Sequence, residues 1–236
     1  MNKKELVLRY RPAVSFACRV HNLGSRLLTR IRGRGNVISA PCALLKKTRI
    51  SIKGDNNRIL ISDFAILKGA SIAIHGSNNT ITIGPWCHLA GTDLFMEDDG
   101  GSITIGEKTK FLGKTHVAVI EGTSVTIGKD CLFSSDIQLR TGDSHAILNM
   151  EGRRINPSRD ITLGDHVWVG TQAFCSKGAQ VASHSIIGAR ALVTGVFEEP
   201  HCTLAGVPAK VVKRDVDWSI RRIPVGEKAA DFQPLG

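Results

Sequence analysis

The stretch RTGDSHAILN, residues 140–149, holds an aspartate and a histidine two positions apart. An imidazole with an ordinary pKa of about 6.5 can take the proton from a hydroxyl at neutral pH as the oxygen forms a new bond. On a strand, residues i and i+2 share a face, so Asp143 could orient the ring of His145. It could equally be a turn residue that accepts backbone N–H groups. We take His145 as a candidate general base and Asp143 as its candidate partner; the alternative for His145 is an ordinary surface histidine.

A 22-residue repeat leads up to this stretch. It is marked by residue pairs that tolerate a positive φ and so favour a tight turn: Asn56-Asn57, Asn78-Asn79 and Gly100-Gly101. An alternating apolar segment follows each pair, and a fourth segment keeps the interval: RILIS at 58–62, TITIG at 80–84, SITIG at 102–106 and SVTIG at 124–128. Alternation of this kind indicates short strands.

From residue 127 the apolar residues recur every six positions: Ile127, Phe133, Leu139 and, after an interruption, Leu163, Val169, Cys175, Val181, Ile187 and Val193. Each hexapeptide is a short strand and a turn, and three of them close a triangular coil whose stacked copies bury one continuous core. We predict an all-β fold of about seven coils between residues 39 and 198, in which the 22-residue repeats are coils with one enlarged corner. Cys175 is then a core residue rather than a nucleophile.

Residues 145–160 fit neither period. Continuing the six-residue spacing would turn His145, Glu151 and Pro157 inward, and burying an unpaired carboxylate costs several kcal/mol. The chain must therefore leave the coil as a loop of about 16 residues, a length that is usually functional inside a compact repeat. His145 stands where the coil surface meets this loop.

Positive charge is concentrated at the N-terminus. The formal net charge is +10, and residues 1–35 contain nine Lys or Arg against one acid. The segment 13–31 has apolar residues at helical spacing, which predicts a helix that covers the open end of the coil or a basic amphipathic helix that touches anionic lipid. With no nucleic-acid motif elsewhere, we expect no nucleic-acid partner. Scattered cysteines and the lack of a secretory signal favour a cytoplasmic protein, with the inner face of the membrane as a contact.

Three motifs identify a resemblance. LGDHVWVG at 163–170, IIGARALVTG at 186–195 and AGVPAKVVK at 205–213 resemble the hexapeptide-repeat acyltransferases. That resemblance implies a left-handed parallel β-helix, a homotrimer, and acetyl-CoA bound in the groove between two subunits for transfer to a hydroxyl or amine. We divide the chain into a basic N-terminal helical segment (1–36), the β-helix domain (37–214) and a C-terminal helix or tail (215–236).

The resemblance also implies roles for particular residues. Polysaccharide and sialic-acid O-acetyltransferases often show a pattern similar to R-T-x-D-x-H followed by Ile-Asn. This chain has Arg140 and His145 in such a pattern, then Asn156. Arg140 and Asn156 are therefore candidates for binding the acceptor sugar, although Asn156 could instead hold the loop. Trp168 is similar to a tryptophan that lines the donor and acceptor tunnel in the family; the alternative is a ring packed between coils.

The donor groove would use small residues and cations near the end of the coil. Candidates for contact with the pantetheine arm and the phosphates of acetyl-CoA are Gly188, Ala189, Arg190, Ala191, Lys210 and Arg214. The family's usual IGAGSVVTK departs here, with Arg190 in place of glycine and Gly195 in place of lysine. An exposed Lys or Arg is otherwise a solvated surface charge.

The resemblance leads to an expectation of function. We expect an acetyl-CoA-dependent O-acetyltransferase acting on a sugar hydroxyl of a capsule, O-antigen or precursor, with His145 as base. The alternatives are a sugar-amine or streptogramin-type acetyltransferase and a non-catalytic β-helix. A γ-class carbonic anhydrase, which shares the fold, needs histidines at zinc-binding spacing; the nearest pairs, His75 with His88 and His184 with His201, lack it, so no metal is expected.

Overall fold

Three parallel sheets form the sides of a triangular coil. The computed structural model describes residues 10–229, apart from the side chain of Arg26. Within that range, strands are numbered along the chain, and every third strand belongs to the same sheet. Each coil contributes one strand to each sheet, so the first 24 strands form eight coils, one more than the repeat predicted.

The strand bounds follow this order. Sheet 1 contains β1 (Thr29–Arg32), β4 (Arg49–Lys53), β7 (Ser71–His75), β10 (Thr92–Glu97), β13 (Thr115–Val119), β16 (Ile137–Arg140), β19 (Phe174–Ser176) and β22 (Leu192–Val193). Sheet 2 contains β2 (Val37–Ser39), β5 (Arg58–Ile61), β8 (Thr80–Ile83), β11 (Ser102–Ile105), β14 (Ser124–Ile127), β17 (Ile161–Leu163), β20 (Gln180–Val181) and β23 (Val196–Phe197). Sheet 3 contains β3 (Leu44–Lys46), β6 (Ile66–Lys68), β9 (His88–Ala90), β12 (Lys110–Phe111), β15 (Leu132–Phe133), β18 (Trp168–Val169), β21 (Ile186–Ile187), β24 (Thr203–Gly206) and the antiparallel β25 (Ala209–Lys213).

The core is the column of inward residues that the two periods predicted. Ile59, Ile81, Ile103 and Val125 lie in register across sheet 2, and all are buried. The residues spaced by six are buried in the same way, and the rings of Phe111 and Phe133 pack at a tilt of 39° with centroids 4.3 Å apart. Cys175 is fully buried, and desolvation raises the pKa of its thiol to about 12, which confirms it as a core residue.

An asparagine ladder lines the enlarged corner between sheets 1 and 2. Asn56 and Asn78 have φ of 57° and 60°, as the turn chemistry predicted. The second asparagine of each pair is buried instead: Asn57 Oδ1 accepts the backbone N–H of Asn79 at 3.0 Å. In the next coil, Asn79 Oδ1 accepts the backbone N–H of Gly101 at 2.8 Å. Each amide thereby satisfies a buried backbone group of the next coil.

Two short helices cover the open end. They are α1 (Arg11–His21) and α2 (Leu23–Arg26). Asn22 between them donates to Ala43 O and accepts from Leu45 N, both at 2.8 Å. These bonds satisfy the edge strand β3 where a further coil would otherwise pair, which confirms the covering role. No helix in the described part of the chain is long and apolar enough to cross a bilayer.

The N-terminal end of the coil differs from the predicted boundary, whereas its last strand ends at Lys213, next to the predicted boundary at residue 214. The helical segment was expected to reach residue 36, but Thr29–Arg32 is already a strand because it pairs with β4 in sheet 1. Residues 215–229 form no helix and run as bends and turns, so they correspond to the predicted tail. Val216 N donates to His201 O at 3.0 Å, and the Trp218 indole donates to His166 O at 2.8 Å. These bonds hold the tail against the coil. Lys3, Lys4, Arg9 and residues 230–236 lie outside the described residues.

Candidate active site

The long loop leaves the coil at the corner between sheets 1 and 2. It runs from the end of β16 to the start of β17, and it returns where Arg159 N donates to Thr141 O at 2.9 Å. Its two arms meet in an antiparallel bridge between Leu148 and Arg154. Because Val125 still pairs with Ile161, the coil resumes in register after the excursion. The loop is therefore an insertion at the corner that also holds the asparagine ladder.

Asn156 joins the two arms of the loop through side-chain hydrogen bonds. It is buried, its Oδ1 accepts the N–H of Ile147 at 2.7 Å, and its Nδ2 donates to His145 O at 2.8 Å and to Asp143 Oδ2 at 2.8 Å. With both donors and its acceptor engaged inside the protein, the amide holds the loop rather than facing an acceptor. Of the two interpretations drawn from the sequence, the structure therefore favours the loop-holding one, and the assignment of Asn156 to substrate binding is not supported.

Asp143 does not pair with His145. Its Oδ2 accepts from Lys177 and from Asn156, and these bonds, with Lys177 the larger influence, hold the pKa of the carboxyl below its usual range. Ser144 has φ of 64°, so the chain turns between the two residues and they do not share a strand face. The predicted orienting role for Asp143 is thus wrong in this chain. Its carboxylate instead ties the loop to the next coil.

A second ion pair supports the loop from the other side. Glu121, on the preceding coil, pairs with Arg154 and accepts the N–H of Ser158 at 3.2 Å. These donors lower the pKa of Glu121 to about 2, so the pair is charged over the whole physiological range. Neither Glu121 nor Lys177 was identified from the sequence. The strand register could have indicated Lys177. Arg140 pairs with Ser176, so the next residues, Thr141 and Lys177, lie side by side at the foot of the loop.

His145 projects from this braced loop. Its backbone carbonyl is held by Asn156, while its side chain is exposed and has no hydrogen-bond partner among the described residues. Arg140 is half-buried at the foot of the loop, and its Nη2 donates weakly to Ser144 Oγ at 3.4 Å. The loop therefore fixes the main chain at His145 and leaves both ring nitrogens free to meet another molecule.

Trp168 lies on a different side of the coil. It is on β18 in the middle of sheet 3, 38% exposed, and its Nε1 donates to Ser134 Oγ at 3.3 Å. The ring is thus exposed on the coil surface rather than packed between coils, and its contact with donor or acceptor stays a prediction. In a triangular coil the corner between sheets 1 and 2 is opposite the face of sheet 3. Within one chain, the His145 loop and the Trp168 indole consequently lie on opposite sides.

Two of the predicted donor residues, Lys210 and Arg214, lie near the two ends of β25. Lys210 pairs with Ala205 on β24, and an added Cβ on Gly188 would lie 3.4 Å from the Cβ of the same Ala205, so β24 separates Gly188 from Lys210. Arg214 follows the other end of β25 and forms an ion pair with Glu199 at 3.0 Å. Lys210 is thus one strand away from Gly188, and within the described part of the chain no hydrogen bond or ion pair joins Arg214 to either residue.

The turn after β21 carries the other donor candidates. Ala189 and Arg190 are exposed, and Arg190 Nε donates to Gln172 Oε1 at 2.7 Å. The side chain of Ala191 is buried in the core, so it is not part of the surface that a ligand could touch. The accessible part of the predicted donor set is therefore the turn 188–190 with Lys210.

Comparison with known proteins agrees with this architecture. The crystal structure of the polySia-specific acetyltransferase NeuO superposes with a TM-score of 0.78 at 31% identity, covering 87% of this chain and 86% of that one. That of the polysialic acid O-acetyltransferase OatWY gives 0.79 at 28% identity, covering 84% and 94%. The polysialic acid O-acetyltransferase of Escherichia coli O1:K1 is 33% identical over 91 residues, 38% of this chain but only 29% of that protein's length. No family model matches the chain.

A stacked triangular coil with an inserted histidine loop defines the hexapeptide-repeat class of acetyltransferases. The chain belongs to that family, and within it the chain is similar to the polysialic acid O-acetyltransferases.

Replacing Asn156 by Ala tests its fastening role. The change leaves the Ile147 N–H without its acceptor, and loss of a buried hydrogen bond of this kind costs about 2 kcal/mol, or about 30-fold in a local opening equilibrium. We expect amide exchange at Ile147 to accelerate by about that factor. Met150→Ala, at the fully exposed loop tip, is the matched control and should leave the exchange rate unchanged. Equal exchange in all three proteins would contradict the role.

Proposed function

We propose that the protein transfers an acetyl group from acetyl-CoA to a sugar hydroxyl of a surface polysaccharide such as a capsule, an O-antigen or a precursor of one. The observation that carries the proposal is the exposed imidazole of His145 on a loop that is fixed by Asn156 and by two ion pairs. Family membership supports the chemistry of acetyl transfer. The names of the relatives, which refer to polysialic acid, support a polysaccharide acceptor.

The proposed reaction needs one base and no acyl-enzyme. A sugar hydroxyl is protonated at neutral pH, so a ring nitrogen of His145 takes its proton while the oxygen attacks the thioester carbonyl. The carbon–sulfur bond then breaks, and the proton passes from the imidazolium to the departing thiolate of CoA. The buried cysteines offer no competing nucleophile, because desolvation raises the pKa of Cys87, Cys131 and Cys175 to about 12.

The topology supports a site shared by two subunits. His145 and Trp168 lie on opposite sides of one chain, so an active site that uses both must take them from different chains. A homotrimer with parallel coils would set the loop corner of one subunit against the face of sheet 3 in the next. The Trp168 ring then offers an apolar surface with an N–H donor to the acceptor or to the pantetheine arm. Arg140 at the foot of the loop supplies a cation beside the acceptor.

The donor is proposed to lie along the exposed turn 188–190. Ala189 leaves room for the pantetheine chain to approach the backbone, while Arg190 and Lys210 supply charge for its phosphates. Arg214 would have to release Glu199 to contribute, so we assign it a smaller part.

Substitution of His145 by Ala tests the base. If the ring removes the acceptor's proton, turnover should fall by at least about 100-fold, while folding and CoA binding are retained. The assay follows acetylation of sialic acid oligomers and other capsular oligosaccharides by mass spectrometry. His75→Ala, a histidine on sheet 1 away from the loop, is the matched control and should keep turnover within about twofold.

Three results would contradict this proposal. The first is full activity without His145, and the second is no acetylation of any oligosaccharide by the unmodified protein. The third concerns the acceptor atom: an O-acetyl ester is removed by mild alkali, whereas an amide survives. A product that resists alkali would therefore indicate transfer to an amine. Chloramphenicol belongs in the same acceptor panel, because a chloramphenicol acetyltransferase is 38% identical over 61 residues.

We also propose that the N-terminal helices rest on an anionic membrane at its cytoplasmic face, where a lipid-linked acceptor would be found. The support is an exposed apolar surface on and beside α1 and α2: Phe16, Val20, Leu23 and Leu27 are 53–87% exposed. Arg19 and Arg30 are exposed in the same region. Apolar side chains beside cations are the pattern of an interfacial helix.

Vesicle sedimentation tests this contact. The protein should bind vesicles that contain anionic lipid, and Phe16→Ser with Leu27→Ser should weaken binding by about tenfold or more, because two exposed apolar side chains can no longer be buried in the membrane. Met150→Ser, which removes a still more exposed apolar residue at the loop tip, should leave binding unchanged. Failure of the unmodified protein to bind anionic vesicles would remove the proposal.

A further inference from the structure

Three histidines form a column at the corner between sheets 2 and 3. His166 and His184 occupy the same turn position in successive coils, with φ of 53° and 59°, and their ring centroids lie 5.2 Å apart. His201 extends the column, 4.8 Å from His184. The 18-residue interval between the first two looks unsuited to metal binding in the sequence, but one coil of this fold makes such residues direct neighbours. The column is on a different corner from the His145 loop.

The C-terminal strap, residues 215–220, brings a carboxylate to this column. Asp217 Oδ1 lies 3.5 Å from His166 Nε2, and Asp217 Oδ2 lies 3.3 Å from His184 Nδ1. All three ligand atoms lie within 4.8 Å of one another. In a tetrahedral zinc site with bonds of about 2.0–2.1 Å, ligand atoms are about 3.4 Å apart. The two distances, each to a different oxygen of Asp217, are close to that spacing, and the wider 4.8 Å limit on the set of three atoms means that a bound ion would draw the ligands slightly together.

Oxygen atoms face both ring nitrogens of His166. Its Nδ1 faces Asp130 Oδ2 at 2.9 Å, and its Nε2 faces the carbonyl oxygen of Trp218 at 3.1 Å as well as Asp217. Asp130 thus lies against the Nδ1 side of the ring, and Nε2 is the nitrogen that faces the cluster. The Asp130–His166 contact is also the arrangement in which a carboxylate orients a metal-bound histidine.

The surroundings leave room for a fourth ligand. A cavity of about 360 Å³ adjoins the cluster, and Leu132 and Trp218 are among the residues that line it. Trp218 stacks on His166 with centroids 4.2 Å apart and planes 10° apart, which shields one side of the cluster. The side chains of His166 and Asp217 are each only 22% exposed. Two imidazoles, one carboxylate and an open position suit Zn²⁺ better than the hard cations, which prefer oxygen ligands.

We propose that His166, His184 and Asp217 bind one Zn²⁺ ion per chain, and that this ion fastens the C-terminal strap to the coil. The proposal does not require acetyl transfer, although the cluster adjoins Trp168: the Trp218 ring stacks on His166 and lies 6.2 Å from the Trp168 ring. Zinc binding is therefore measured directly and not through activity. Two ligands come from the coil and one from the strap, so the bound ion joins segments that are otherwise held by a few hydrogen bonds and the stacked indole.

Zinc binding to the full-length, untagged protein tests the site. After chelator treatment and dialysis, we expect one tightly bound Zn²⁺ per chain by elemental analysis, and a higher melting temperature with zinc than without it. Asp217→Asn and His184→Gln keep side-chain size and should each weaken binding by at least about 100-fold. Asp130→Asn should weaken it by about 10- to 100-fold through His166. In these variants the zinc-dependent rise in melting temperature should shrink or vanish.

His116→Ala is the matched control. Its Nδ1 lies 2.8 Å from Asp93 on sheet 1, so it is also a histidine–carboxylate pair, but no third ligand joins it in the described part of the chain. Zinc binding should be unchanged in this variant. Cobalt substitution gives an independent readout: nitrogen and oxygen ligands give visible d–d bands without a thiolate charge-transfer band, in keeping with the burial of all six cysteines.

Three results would overturn the proposal. These are absence of stoichiometric zinc in the unmodified protein, equal binding by Asp217→Asn and His184→Gln, and a thiolate band with cobalt. If either variant fails to fold, the cobalt spectrum of the unmodified protein and the Asp130→Asn affinity still decide the question.

Discussion

The pairing of each coil with the next constrains every other feature of this molecule. Backbone groups on all three sides bond to the neighbouring coils in register, and the inward side chains stack in one narrow column. A residue on a strand therefore has little freedom in direction or neighbour. Only the corners can accept extra residues without breaking the stack. The enlarged turns, the His145 loop and the histidine column are all found at corners, and all are built on a register that the coils impose.

The same constraint explains why the proposed chemistry needs a rigid loop and a second chain. The loop belongs to no sheet, so polar side chains hold it in place. Asn156 forms hydrogen bonds within the loop. The Asp143–Lys177 ion pair joins it to the following coil, and the Glu121–Arg154 ion pair joins it to the preceding coil. Holding the main chain of His145 in this way reduces the entropy lost when reactants are aligned. Because a triangular coil separates that corner from sheet 3, Trp168 can take part only from a neighbouring subunit.

The periodic part of the fold could be predicted from the sequence, since each inward residue of the 22- and six-residue spacings is repeated many times. Single contacts could not. Asp143 turns to Lys177 because Ser144 adopts a positive φ, which no period indicates. Asn156 holds the loop together because its hydrogen-bond partners lie on the opposite arm of the loop, a contact that no local pattern predicts. The sequence left a helix or a tail open at the C-terminus, and residues 215–229 form a tail because Trp218 finds partners on the coil. The His166–His184 pair gives no local signal in the sequence, because residues 18 apart become neighbours only when successive coils stack.

The central claim is that one active site takes its histidine from one protomer and its tryptophan from another. Subunit complementation measures this directly: His145→Ala chains and Trp168→Ala chains, each nearly inactive, are assembled together in equal amounts. In mixed homotrimers about a quarter of the sites pair an intact histidine with an intact indole, so acetyl transfer should recover to about a quarter of the unmodified rate. Activity of the mixture no higher than that of the two parent variants would contradict the account.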